Sequence, residues 1–109
     1  MSAFIPIRSL PNSIGQVPYA ILFTTRDSGD SILMRHSLRD AVSAFPALRV
    51  FEVDCSEECQ LQRDFGIREQ PTVLLVAGNE VRGFAEGLTS TPSLRSMLQS
   101  SLNERIPLL

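Results

Sequence analysis

The sequence predicts an α/β fold, a three-layer sandwich with a central mixed sheet of four to five strands flanked by helices. Continuous apolar runs, typical of strands covered on both faces, alternate with segments whose apolar residues recur at helical spacing. The last of these runs is followed by the turn dipeptide Gly78-Asn79, an antiparallel return and a terminal helix. A length of 109 residues that are 43% hydrophobic fits one domain over residues 1–109, with 103–109 as a short tail.

The predicted elements follow the order β-α-β-α-β-α-β-β-α. The predicted strands cover residues 5–7, 19–23, 48–53, 71–76 and 80–85, and Pro6 assigns the first of them to a sheet edge. The predicted helices are a turn over 10–14, a helix capped by Ser31 and ended by Pro46, a polar helix over 57–64 and a last helix with Thr91 as N-cap.

Charge and hydropathy argue against nucleic-acid binding, a membrane span and a signal peptide. The formal net charge is -2 and the ten basic residues, all arginine, are dispersed, whereas nucleic-acid binding needs clustered positive charge. No apolar run approaches the ~20 residues of a membrane span. The first eight residues lack the basic and apolar regions of a signal peptide, so we expect a cytoplasmic protein.

Three short motifs occur in order along the chain: Val53-Asp54-Cys55-Ser56, Phe65-Gly66-Ile67 and Pro71-Thr72. Their spacing resembles that of thioredoxin and protein disulfide isomerase domains. The strand that ends at Phe23, the loop and long helix after it, and the Gly78-Asn79 hairpin extend the resemblance over essentially the whole chain. The resemblance implies a thioredoxin-like sandwich.

The same resemblance implies that the redox chemistry of the family is absent. The family opens its first long helix with Cys-x-x-Cys, and the corresponding residues here are Ser28-Gly29-Asp30-Ser31. A serine hydroxyl is hardly ionised at neutral pH and cannot form a disulfide. The tryptophan that precedes the family's motif is replaced by Asp27, and its buried acid by Leu22. We therefore expect no catalytic residues, no cofactor and no enzyme activity.

Pro71 matches the cis-proline of the family, so the Gln70-Pro71 bond is predicted to be cis. In relatives the backbone beside this proline binds extended peptides. The resemblance thus implies a binding groove made by the degenerate active-site loop, the proline turn and the segment 83–87. Its candidate residues are Asp27, Ser28, Gly29, Asp30, Ser31, Gln70, Pro71 and Thr72.

Cys55 and Cys59 are the only cysteines, and the register of the predicted strand indicates that Cys55 is a buried, slowly reacting thiol. A disulfide between Cys55 and Cys59 is possible if the helix starts between the two residues. Zinc needs about four ligands, and His36 is the only histidine, so no metal site is expected. A triad of His36, Asp30 and a nearby serine lacks the strained turn that such nucleophiles use.

Three functions remain open at this point. The first is a non-catalytic, chaperone-like or assembly module that binds a protein or an extended peptide segment in the groove. The second is a residual thiol function of Cys55 and Cys59. The third is a structural subunit of a larger complex that docks through the apolar tail 106–109.

Because the dithiol is replaced by Ser28 and Ser31, we predict no disulfide reductase activity. In an insulin-reduction assay with a dithiol donor, turbidity should develop at the uncatalysed rate, with an ordinary thioredoxin as the positive control. Catalysis near the rate of that control would contradict the prediction.

Overall fold

A mixed five-stranded sheet forms the middle layer of the protein. The computed structural model describes residues 4–11 and 17–103. The strands β1 (Ile5–Pro6), β2 (Tyr19–Thr24), β3 (Arg49–Asp54), β4 (Thr72–Ala77) and β5 (Glu80–Glu86) lie in the order β1-β3-β2-β4-β5. β1 and β2 pair parallel with β3, whereas β4 pairs antiparallel with β2 and β5. The predicted edge position of the strand that contains Pro6 is confirmed.

Helices cover both faces of this sheet. One core cluster joins the helices α1 (Gly29–Val42) and α3 (Thr91–Asn103) to side chains that include Leu22 and Leu75. A second cluster, on the other face, joins Leu61 of α2 (Gln60–Asp64) to side chains that include Ile21 and Phe23. Since successive side chains of a strand point to opposite faces, this arrangement accounts for the uninterrupted apolar runs and confirms the predicted three-layer sandwich.

α1 begins and ends earlier than its sequence predicts. Ser28, not Ser31, is the N-cap, because the backbone N–H of Ser31 donates to Ser28 Oγ at 3.1 Å. At the other end Ser43 is the C-cap, and its hydroxyl donates to the carbonyl of Asp40 at 2.7 Å. These local side-chain bonds satisfy backbone groups at the helix ends, so the helix ends before Pro46.

The other two helices also differ from the prediction at their starts. Glu57 and Glu58 were expected in a helix over 57–64, but α2 begins only after Cys59, whose Sγ accepts a hydrogen bond from the N–H of Gln62. In α3 the capping hydroxyl belongs to Ser90, which accepts from the N–H of Ser93 at 3.3 Å. Thr91 was predicted to be the cap and is the first helical residue.

Two predicted features lie mostly or wholly outside the described residues. The turn predicted over 10–14 includes 12–14, and the tail predicted over 103–109 includes 104–109. In the part of the chain that the structure describes, no helix has the length and apolar character needed to cross a membrane.

An ion pair joins α1 to strand β3 of the sheet. The guanidinium group of Arg35 donates to the Glu52 carboxylate of β3 at 2.6 Å and 3.0 Å. Thr24 of β2 donates its hydroxyl to the same carboxylate at 3.2 Å. The hydrogen bond to Glu52 raises the pKa of Arg35 above its ordinary value. A forked, charge-assisted contact of this kind sets the orientation of the helix on the sheet.

The packing of α1 generates a stability prediction with a matched control in the same helix. Leu38 is fully buried, whereas Leu33 is 52% exposed. Leu38→Ala should lower the free energy of unfolding by about 2–5 kcal/mol, because it leaves a cavity between α1 and the sheet. Leu33→Ala should change it by less than about 0.5 kcal/mol. Urea unfolding measures both, and equal losses would contradict this account of the core.

Candidate functional site

The loop before α1 and the proline turn meet at one end of the sheet. In the register of the strands Phe23, near the end of β2, lies opposite Thr72, the first residue of β4. The loop 27–31 therefore leaves the sheet beside the Gln70-Pro71 turn. The peptide bond between Gln70 and Pro71 is cis.

Hydroxyl groups hold the loop in place. Ser28 caps α1 by accepting from the N–H of Ser31, and Ser31 Oγ accepts from the N–H of Thr25 at 3.1 Å. Asp27 adopts a φ of 65°, the left-handed region that aspartate tolerates better than most residues. Ser28 and Ser31 thus satisfy backbone donors of the loop.

A polar network ties the start of this loop to the end of β3. The backbone N–H of Arg26 donates to Ser56 Oγ at 2.5 Å, and its guanidinium group lies 3.4 Å from the Asp54 carboxylate. Ser56 in turn donates its hydroxyl and its N–H to Asp54 at 2.6 Å and 2.9 Å. The hydrogen bonds from Ser56, and then the charge of Arg26, lower the pKa of Asp54 below its ordinary value.

A third segment, residues 87–89, connects the proline turn to α1. The N–H of Gly87 donates to the carbonyl of Pro71 at 2.7 Å, and the N–H of Thr89 donates to Met34 Sδ at 3.3 Å. Gly87 has a φ of 77°, which a residue with a side chain rarely adopts. Loop 27–31, the turn 70–71 and the segment 87–89 together form what we call the groove.

The predicted segment 83–87 belongs to the groove only at its last residue. Gly83 lies against α3, where an added Cβ would meet the side chains of Ser101 and Met97. Side chains alternate between the faces of β5, so the strand passes under the helix before it reaches the proline turn. The assignment of Gly83 to the groove was wrong for this reason.

The eight predicted groove residues divide by exposure. Asp27, Gly29 and Asp30 are exposed and Ser28 and Gln70 are half-buried. Buried residues are Ser31, Pro71 and Thr72. The hydroxyl of Thr72 donates to the carbonyl of Glu69 at 2.8 Å, so this residue shapes the turn from within and offers no side-chain surface.

The main-chain groups of Gln70 are open to a ligand. Among the described residues, neither its N–H nor its C=O has a hydrogen-bond partner. Backbone donors and acceptors in folded proteins are almost always paired with protein or with water. Gln70 therefore offers one donor and one acceptor at the surface of the groove.

Sequence reasoning missed three exposed apolar residues that lie in the groove segments or follow them in sequence. Ile32 and Leu33, at the start of α1, are 48% and 52% exposed, and Leu88, next to Gly87, is 48% exposed. The signal for the first two was their position outside the Met34/Leu38 stripe that packs into the core. For Leu88 the sequence contains no comparable signal, because its exposure depends on how the segment crosses to α1.

The fold of this protein is similar to those of several solved structures. Thioredoxin from Trypanosoma brucei brucei superposes with a TM-score of 0.79 at 14% identity, over 93% of this chain and 92% of that chain. The chain is also similar to a structure concerned with thiol resolving in yeast mitochondrial 1-Cys peroxiredoxin via glutathione/thioredoxin systems, with a TM-score of 0.75, 18% identity and coverage of 89% and 95%. Thioredoxin-2 of the malaria parasite superposes with a TM-score of 0.72 at 12% identity, over 92% of this chain and 96% of that chain.

The protein has a thioredoxin-like fold. No protein-family model and no curated protein matches the sequence, so the likeness rests on structure. The thioredoxin-like sandwich that the sequence resemblance implied is confirmed as the fold of this protein.

The cysteines of this thioredoxin-like fold lie away from the groove, after β3. Cys55 and Cys59 are free thiols whose Sγ atoms are 3.3 Å apart. Cys59 is buried, but Cys55, which was predicted to be buried, is half-buried because β3 ends one residue before it. Burial, then the hydrogen bond to Cys59, raises the pKa of Cys55 to about 12.

Other candidate chemistry is not assembled among the described residues. Within them no three His, Cys, Asp or Glu side chains are grouped as a metal ion would need. His36 is exposed on α1, whereas Ser31 is buried and bonded to Thr25, so the triad considered from the sequence is not formed with Ser31.

Two clefts lie outside the groove. One, of about 450 Å³, lies beside β1 and the end of β3 and reaches Cys59. The other, of about 280 Å³, has an apolar wall that includes Val17, Phe45 and Leu102.

The Arg26–Ser56–Asp54 network yields a pH-dependent prediction. Ser56→Ala should raise the pKa of Asp54 toward its ordinary value, because the hydroxyl of Ser56 is the largest cause of the lowering. A carboxyl whose pKa is lowered by folding stabilises the protein above its unfolded pKa, and that contribution is lost as pH falls through the folded value. NMR titration of the Asp54 carboxyl tests this, with the exposed Ser96→Ala as the control. An unchanged pKa of Asp54 would contradict it.

Proposed function

We propose that the protein is a non-catalytic binding module that holds an extended segment of a protein or peptide in the groove. The observation that carries this proposal is that the backbone N–H and C=O of the half-buried Gln70 have no hydrogen-bond partner among the described residues. A bound chain in extended conformation would pair with these groups as an added strand does.

The apolar rim of the groove supports the same proposal. Leu88, in segment 87–89, and Ile32, the residue that follows loop 27–31, are both exposed. Burying one such side chain contributes about 1.5–3 kcal/mol. Together with two main-chain hydrogen bonds, and against the entropy lost on association, this favours affinities in the micromolar range of small transient interfaces.

The chemistry of the loop favours binding without a covalent step. Ser28 and Ser31 use their oxygen atoms to accept backbone hydrogen bonds. A serine in this position has no route to a mixed disulfide with a substrate. A role in an assembly also has a counterpart among proteins of this fold, since thioredoxin-2 is a component of malaria parasite protein secretion machinery.

Gly29 provides a sharp test of the groove. An added Cβ at this position meets nothing within 4 Å, so a large side chain fits without disturbing the fold and covers the groove. Peptides selected by the wild-type protein from a phage-displayed library should bind with a Kd of about 1–100 µM. Gly29→Trp should weaken their binding by at least about tenfold. Fluorescence anisotropy measures the Kd, and NMR should locate the shifts at Gln70, loop 27–31 and Leu88.

Ala44→Trp is the matched control, because Ala44 is exposed just beyond the opposite end of α1. That variant and a deletion of residues 106–109 should bind the peptides as the wild type does. If Gly29→Trp binds normally and the tail deletion abolishes binding, the groove is vestigial and the docking-subunit hypothesis replaces this one.

A further inference from the structure

Cys55 and Cys59 stand in direct contact. Their Sγ atoms are 3.3 Å apart, and both thiols are free. The contact joins the residue that follows β3 to the N-cap of α2, in which Cys59 has extended backbone angles. Two thiols held this close need a shift of little more than 1 Å to reach the ~2.05 Å of a disulfide bond.

The two sulfur atoms have different roles in this contact. Cys59 Sγ accepts hydrogen bonds from the thiol of Cys55 and from the N–H of Gln62 at 3.4 Å. Cys55 is the donor. Cys59 also forms part of the wall of a cleft, whereas Cys55 does not. Cys59 is therefore the thiol that an entering disulfide meets first, and Cys55 is the partner that follows.

A cleft gives small molecules access to Cys59. It has a volume of about 450 Å³, enough for a compact disulfide, and Cys59 is part of its wall. Its ionisable lining consists of four carboxylates and two guanidinium groups, those of Glu52, Asp54, Glu57, Glu58, Arg8 and Arg26. Glu52 and Glu58 are also paired with Arg35 and Arg63, so the four carboxylates are matched by four guanidinium groups and the cleft does not select a disulfide by net charge.

We propose that Cys55 and Cys59 form a reversible dithiol–disulfide site that reacts with small disulfides entering through this cleft. The proposal does not rest on the binding function, because the site shares no residue with the groove. It places thiol chemistry after β3, away from the start of α1.

The reaction proceeds in two exchanges. The Cys59 thiolate attacks one sulfur atom of the small disulfide, which forms a mixed disulfide and releases one thiolate. Cys55 then loses its proton, and its sulfur attacks Cys59 Sγ to release the second thiolate. The two protein thiols are oxidised to one disulfide, and the small disulfide is reduced to two thiols.

The test uses the folded protein and bis(2-hydroxyethyl) disulfide as the probe. After the reaction, free thiols are blocked with N-ethylmaleimide and the intact mass is measured. The wild type should lose two hydrogens and carry no maleimide. Cys55→Ala should stop at a stable mixed disulfide on Cys59, whereas Cys59→Ala should form its adduct at least about tenfold more slowly.

Peptide mapping of the wild type at early times serves as a second measurement that needs no variant. The first mixed disulfide should lie on Cys59.

Two results would overturn the proposal. One is a wild type that keeps both thiols or retains two mixed disulfides. The other is a first adduct on Cys55.

Discussion

The complete burial of β2 and β4 is the constraint on which the rest of the structure depends. Every residue of both strands is buried, and their side chains supply the two core clusters on opposite faces of the sheet. Because the two strands run antiparallel, the end of β2 and the start of β4 lie side by side. Loop 27–31 and the Gln70-Pro71 turn are brought together by this pairing, so the groove is a consequence of how the core is built.

The serines in the loop maintain its shape through hydrogen bonds to the backbone. At the first helical turn a short polar side chain is favoured, because the backbone N–H groups there have no partner in the helix. Ser28 and Ser31 meet this need for α1 and for Thr25. The loop therefore keeps its geometry without sulfur, and the neighbouring backbone of Gln70 remains available for a ligand.

The residues that follow β3 include Cys55 and also contact the strand and loop that lead into the groove. Ser56, the residue after Cys55, holds Arg26 at the start of the loop, while Cys55 donates its N–H to the carbonyl of Thr24 at 2.7 Å. The end of β3 thus supports the loop on one side and presents the thiol pair on the other. The proposed peptide binding in the groove and the proposed thiol exchange at Cys55 and Cys59 use different residues. One domain can therefore carry both.

The sequence by itself determined the alternation of elements, the edge position of the Pro6 strand and the hairpin, because each depends on local residue types and periodicity. It also indicated the loop and the proline turn. Only the tertiary structure decided which hydroxyl caps which helix, that Gly83 lies under α3 and that Ile32 and Leu88 are exposed beside Gln70. It also decided that Cys59 is more buried than Cys55. Exposure and capping depend on which distant segments pack together, and that information is absent from any short window of sequence.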